Sequence, residues 1–409
     1  MAIRRMLAIW LPLVHCSCDM QASREAYFVR DSAGVRIVEN GTPAWVGDQG
    51  WAPSVEPVLD FGPDDALHQI GSVLRLESGR IVVAHGSARE IVIYSASGTL
   101  EKRFGAFGAG PGEFRELSRV FASGAGDTLV AFDAVLRRAS VFDTTGKVVR
   151  SFAPNPIPDG NPSFVAGAFG DGSLLLASGA AFTPETRGLV RPILRLWRAH
   201  SAGVGVGLIA ELPGEERFFQ DSPFGPVDMR RPFFGFSAAY YPWRDLLYWG
   251  ATDTFEIRIS SRDGVLQSVI RKRHAYQRVE QRDTDVLIEQ QLATIEDAGV
   301  RVQVRGVLGN LPVGLRAPAF GWPQGARRYG PELQVDQEGN IWIVEYFMPG
   351  ATSRNARTVI DSTGRWLGSV ELPPRFAPTQ IGRDFLLGTW TDSSDTEHIR
   401  LYGLVKKND

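Results

Sequence analysis

The chain has 409 residues, 44 of them basic and 46 acidic, for a formal net charge of −2. A near-neutral chain carries no global basic field, which argues against general nucleic-acid binding. A hydrophobic fraction of 44% with 22% charged residues excludes disorder as the main state.

The first residues, MAIRRMLAIWLPLVHCSCDM, read as an export signal over 1–15. Arg4 and Arg5 precede Leu7 to Val14, an apolar run too short to span a bilayer. Cys16 and Cys18 follow, and the rest of the chain has no cysteine, so the body holds neither a disulfide framework nor a Cys metal cluster. The stretch Leu13-Val14-His15-Cys16 resembles a bacterial lipobox, with His15 where the pattern wants a small residue. Cys18 has Ser17 before it, but then His15 takes the apolar position. Cleavage is therefore expected before Cys16 or Cys18, with acylation of the new first residue. A plain secretory signal with an incidental Cys pair is the alternative, and a misplaced start codon in a cytosolic protein is a third. Acyl chains would hold the protein to a membrane surface without a spanning helix.

Residues 16–56 read as an N-terminal segment of the mature chain. From 57 to 405 two kinds of turn recur. One precedes an apolar run, in ESGRIVVAH (77–85), GAGDTLVAFD (124–133), GDGSLLLAS (170–178) and DQEGNIWIVE (336–345). The other joins two strands, in IYSASGTLEKRF (93–104), VFDTTGKVVRSF (141–152), ISSRDGVLQSVI (259–270) and VIDSTGRWLGSV (359–370). Their glycines fall where a tight hairpin needs positive φ. Gly79, Gly126 and Gly172 stand 47 and 46 residues apart, and Gly98 and Gly146 stand 48 apart. A period in the forties with several strands per period predicts propeller blades.

Six apolar second strands, beginning after Arg80, Thr128, Ser173, Asp245, Asn340 and Asp384, predict an all-β fold: a six-bladed β-propeller with four-stranded blades and one helical insertion. HIRLYGLVK near the C-terminus leaves the last blade one strand short, and PVLDFG (57–62) is expected to complete it. The insertion is a helical and Gly/Pro-rich stretch, 271–330, between blades four and five. Asp283 or Thr284 is its expected cap, Val286, Leu287, Leu292 and Ile295 its apolar side, and Gly299 its stop. It is expected to pack on one propeller face, with a lid over the channel as the alternative.

VRDSAGVRIVENGTPAW (29–45), EPVLDFG (56–62), FGAFGAGPGEF (104–114) and DQEGNIWIVEY (336–346) together resemble the six-bladed, NHL-like β-propeller lipoproteins of bacteria. The resemblance covers nearly the whole mature chain. It implies the fold, and it leaves function open because propellers host binders and enzymes alike.

GAFGAGPGEF (105–114) reads as a turn rather than a phosphate nest, because Pro111 removes an N–H and no P-loop Lys-Ser/Thr pair follows. The histidines have no H-E-x-x-H spacing and there is no G-x-S-x-G elbow. Aligning the second strands puts His85, Asp133, Ser178, Gly250, Glu345 and Thr389 at one rim. His85, Asp133 and Glu345 could share a divalent ion there; a polar rim is the plainer reading. Trp249, Trp342, Tyr346 and Trp390 could form a stacking surface, against inter-blade packing as the alternative. Arg271-Lys272-Arg273-His274, with Arg278 and Arg282, is the sharpest local charge. It reads as a solvated helix face, with contact to anionic lipid or polyanion as the other reading.

The expectation is a non-catalytic envelope platform for a protein or small ligand. It is expected to be monomeric and membrane-attached through its lipid anchor, with no nucleic-acid partner and no cofactor. Its ligand rim would comprise His85, Asp133, Glu345, Trp249 and Trp390. One alternative is a metal-dependent hydrolase or lactonase using His85, Asp133 and Glu345. Another is a purely structural envelope component.

Overall fold

The computed structural model describes residues 27–407, apart from 48, 63–66, 124–127, 144, 155–156, 159, 161–162, 180–181, 184, 201–204, 224, 324–329 and 351–354. Cys16, Cys18, the signal 1–15 and Gly126 lie outside the described residues.

The chain is mostly β. Sheet I holds Ile70–Arg75, Ile81–His85, Glu90–Tyr94 and Leu100–Phe104. Sheet II holds Leu117–Ser123, Thr128–Asp133, Arg138–Phe142 and Val148–Phe152. Sheet III holds Ser163–Ala168, Leu174–Ser178, Ile193–Ala199 and Val206–Pro213. Sheet IV holds Ala238–Trp243, Leu246–Ala251, Glu256–Ser261 and Leu266–Lys272. Sheet V holds Leu333–Val335, Ile341–Val344, Ala356–Ile360 and Trp366–Glu371. Sheet VI holds Phe376–Ile381, Phe385–Thr391 and Glu397–Val405, and its outer strand is Leu59–Phe61, antiparallel to Glu397–Val405.

Within each sheet successive strands are antiparallel, as hairpin connections allow. The second strands are mainly apolar, with polar residues towards their ends, and are buried because both faces of each sheet are covered. Val82, Ile91 and Ile93 of sheet I pack on Val120, Leu129 and Phe142 of sheet II. Sheet II then packs on III, III on IV, IV on V and V on VI. Sheet VI returns to sheet I, where Leu387, Ile399 and Leu401 meet Val83, Val92 and Tyr94.

Hydrogen bonds at or just beyond the first strands join most neighbouring sheets. The Ser72 hydroxyl donates to the Val120 carbonyl and accepts its N–H, joining I to II. Arg119 donates to the Ala166 carbonyl, and the Gly170 N–H to that of Arg244. Gln334 donates to the Pro378 carbonyl, and Thr379 to that of Val73. Gln380 brackets Arg75, accepting from its N–H and donating to its carbonyl.

Second strands finish at one end of the molecule, called here the loop rim. The turns between first and second strands, and between third and fourth, form the opposite turn face. Glycine has two jobs in that face. Gly146 takes φ +78°, and an added Cβ would stand 2.8 Å from the Phe104 ring of sheet I. Gly98 repeats this against Phe61, with φ +82° and 3.0 Å. Each turn thus supplies a left-handed residue and a flat seat for the neighbouring sheet.

The structure departs from the uniform four-stranded pattern in three places. Val35–Asn40 pairs in parallel with Leu266–Lys272, and Tyr27–Ser32 pairs with it, so sheet IV has six strands. Residues 44–53 then run along sheets V and VI: the Trp45 N–H donates to the Leu367 carbonyl, and Ala52–Pro53 pairs with Val405 and Leu404. A seventh, small sheet comprises Gly188–Val190, Arg217–Ser222 and Gly225–Arg230. The third departure is the insertion after sheet IV, which holds two helices. Helix α1, Gln281–Leu292, is capped by Glu280 and Asp283 in a reciprocal capping box, so neither Asp283 nor Thr284 is the N-cap. Helix α2, Ala298–Gly309, is capped by Asp297, which puts Gly299 in its first turn and not at a helix end. Leu287, Leu292 and Leu308 of the pair pack with Phe233, Phe234 and Leu311, and with Tyr346 and Met348 beyond the second strand of sheet V. The helical pair therefore sits on the loop rim.

Candidate functional site

The aligned positions do fall at or beside the ends of the second strands, but their side chains do not converge. His85 is only 5% exposed; its Nε2 accepts the His68 N–H at 3.3 Å and meets the Ser87 hydroxyl at 2.9 Å, while Nδ1 has no partner. Burial holds the ring below the usual histidine range. Asp133 organises its own loops, accepting N–H groups from Arg115, Glu116 and Leu136 at 2.6, 3.3 and 2.7 Å. Glu345 accepts from the Thr358 hydroxyl at 2.9 Å and from the Ser369 hydroxyl. These carboxylates and the imidazole belong to sheets I, II and V and are spent on local bonds. Among the described residues no group of three or more His, Cys, Asp or Glu is disposed to hold a metal ion. Ser178, also at this rim, accepts the Trp197 indole N–H at 3.0 Å.

The aromatics divide. Trp249 is buried between sheets III and IV with its N–H on Ser260 at 3.1 Å. Trp342 is buried with its N–H on Asp336 at 3.1 Å. Both are packing residues. Trp390 is half-buried under the Arg400 guanidinium, 3.4 Å from the ring centre, and donates to the Pro374 carbonyl. Tyr346 packs beneath the helical pair, and burial raises its phenol far above the usual range. The glycine-rich loop 105–114 closes around Arg138, which donates to the carbonyls of Ala109, Gly110 and Glu113. Carbonyls gathered on a guanidinium make this loop a link between sheets I and II, with no cradle for phosphate.

Glu345 meets the basic run instead of His85 and Asp133. The Lys272 ammonium donates to Thr358 Oγ1 at 3.2 Å, and Thr358 passes its proton bond on to Glu345. Phe255 and Trp366 hold the ammonium between their rings at 4.5 and 4.3 Å. Burial lowers the Lys272 pKa, with Glu345 opposing that shift, and it lowers that of His274 with help from Lys272. A pocket of about 590 Å³ opens over this group, walled by Phe28, Glu39, Arg273, His274 and Tyr276. Arg271, at its side, is neutralised by Glu39 at 3.0 Å and Glu256 at 2.7 Å.

A second pocket, of about 550 Å³, lies on the turn face. Arg75, Leu76, Glu77 and Gly79 come from sheet I, Trp243 and Arg244 from IV, Gln337 from V and Phe385 from VI. Sheets I and IV stand three apart in the cyclic order, so a cavity they share lies across the axis. Arg75 is stacked at 4.9 Å on Phe385, and Arg244 at 4.4 Å on Trp243. Stacking fixes the plane of a guanidinium and leaves its N–H edge for a bidentate oxyanion. Arg244 bonds weakly to the Gln337 carbonyl at 3.5 Å; the Arg75 guanidinium has no hydrogen-bond partner among the described residues. Arg244 also holds φ +51°, a left-handed conformation uncommon outside glycine. Sequence reasoning missed this pair because each arginine sits beside an ordinary-looking turn, in RLESG and PWRD. Only the ring order brings them together.

No family model matches the chain, and no curated protein matches it. Solved structures do. One is a member of the DUF4221 family from Bacteroides vulgatus, with 11% identity, TM-score 0.47, and coverage of 88% of this chain and 99% of that one. Another is a gluconolactonase from Xanthomonas campestris, with 15% identity, TM-score 0.40, and coverage of 89% and 99%. A third is virginiamycin B lyase from Staphylococcus aureus, with 11% identity, TM-score 0.36, and coverage of 81% and 83%. The activities in these names are those of the proteins that carry them.

Proposed function

We propose that the chain is an exported six-bladed β-propeller, of the NHL-like lipoprotein kind, that serves as a non-catalytic binding platform in the cell envelope. In this reading sheets I to VI are the blades, Leu59–Phe61 closes the ring, and acylated Cys16 or Cys18 is the anchor. The ligand is a small oxyanion, a carboxylate or phosphate ester, held in the axial pocket of the turn face. The observation that carries this is the pair of stacked arginines, Arg75 and Arg244, brought from opposite blades to one cavity. Trp243 and Phe385 would wall the ligand, and Glu77 would leave the pocket with a net single positive charge, suited to a small anion.

Calorimetric titration with citrate and with inorganic phosphate tests the assignment. Binding of either is expected, and Arg75→Gln should weaken it about tenfold or more, the loss of one charge-assisted pair. Unchanged affinity in Arg75→Gln at an unchanged melting temperature would move the ligand elsewhere. Absence of binding by both anions would overturn the oxyanion assignment itself.

A further inference from the structure

The loop rim carries a surface that the axial pocket does not use. Leu315 is 90% exposed, and Phe28, Tyr276 and Val313 are exposed as well. Two segments bring them together: the Val279 N–H donates to the Leu315 carbonyl and the Ala317 N–H to that of Gln277. Arg316 stacks on Tyr276 at 4.1 Å, and Phe28 and Tyr276 both wall the pocket over Lys272. Arg271 here is neutralised by Glu39 and Glu256, but the exposed charge beyond it is positive. Arg273 and Arg278 are exposed and have no acidic partner among the described residues, and the Lys272 ammonium lies at the pocket floor.

The chain also leaves the described fold at this place. Tyr27 pairs with Asn40, and Asn40 with Lys272. Nine residue steps lead from Cys18 to Tyr27. Fully extended, that leash reaches only about 30 Å. An acyl chain on Cys18, or two residues further on Cys16, would keep this rim the surface nearest the bilayer.

We propose that the loop rim around Phe28, Arg273, Tyr276 and Leu315 docks on an anionic lipid bilayer. The apolar side chains enter the headgroup zone, and Arg273 and Arg278 meet the phosphates. The axial arginine pocket then faces away from the membrane. The placement rests on the anchored reading above, while the surface itself does not.

The mature chain from residue 16, with Cys16→Ser and Cys18→Ser to remove acylation, is spun down with vesicles. One set is phosphatidylcholine alone; the other holds roughly a third phosphatidylglycerol, at low salt. Binding to the anionic set alone is expected, weakening as salt screens it. The pair Arg273→Glu and Leu315→Asp should lower it about tenfold or more at an unchanged melting temperature. Both substituted residues are exposed, so the variant should fold; if it does not, Arg278→Glu alone gives the same comparison. No binding to anionic vesicles, or equal binding by a folded variant, overturns the docking. Mass spectrometry of the native chain separates this from the anchor. An acylated chain whose soluble form ignores vesicles loses the docking and keeps the anchor. An unacylated chain that binds them keeps the docking and loses the anchor.

Discussion

His85 and His274 show how a single buried ring couples the fold to pH. Both are held below the ordinary histidine range, chiefly by burial, so both remain neutral where an unfolded histidine, of pKa about 6.5, begins to charge. Below that pH the unfolded chain binds more protons than the folded one. Stability is therefore full above about pH 6.5 and falls as the solution is acidified toward the lowered folded pKa. For His85 the geometry gives the same sign, since Nε2 accepts the His68 N–H and cannot do so once protonated. His85→Gln should flatten the acid limb of stability against pH, read as urea midpoints at mildly acid and neutral pH. An acid limb as steep as the wild type's would place the proton uptake elsewhere.

At the scale of the hairpin, turn glycines were readable in sequence, but their second role was not. The spacing of Gly98 and Gly146 marks a repeat, and both take the positive φ that a tight turn needs. That a neighbouring sheet leans an aromatic ring on each is invisible in one dimension, because Phe61 and Phe104 sit some forty residues before their seats. Gly146→Ala should cost about 1–3 kcal/mol, combining left-handed strain with a clash against Phe104. Gly34 has φ +79° with nothing within 4 Å, so Gly34→Ala should lose only the strain, about 1 kcal/mol. Equal losses in chemical denaturation would show that the ring does not use the seat. The same limit explains the candidate site. Alignment placed His85, Asp133 and Glu345 at strand ends, but strand position does not say which partners a side chain meets. Lys272 and Glu345 are joined through Thr358 across two sheets, a contact no local spacing encodes.

Over the whole molecule sheet VI packs back on sheet I, and this junction sets residues near 60 beside residues near 400. Leu59–Phe61 supplies the outer strand of sheet VI. Asp60 holds His398 at 2.9 Å and Arg400 at 2.9 and 2.8 Å, while the Phe61 ring lies 4.7 Å from Tyr94 and covers Gly98 of sheet I. The first strand of sheet I is tied to sheet VI again by its Ile70 N–H, donated to Glu397. A ring opened at this junction exposes the facing surfaces of both sheets, so damage should spread to elements far apart in sequence. Phe61→Ala should lower stability by about 3 kcal/mol. It should also speed amide exchange in Glu397–Val405 and in Glu90–Tyr94 together, while Leu174–Ser178, across the ring, exchanges as before. Faster exchange confined to residues 59–61 would mean that the strand only decorates sheet VI. Coupled exchange in the first and last sheets would mean that Leu59–Phe61 holds sheets VI and I together, and with them the distance between Arg75 and Arg244 across the axis.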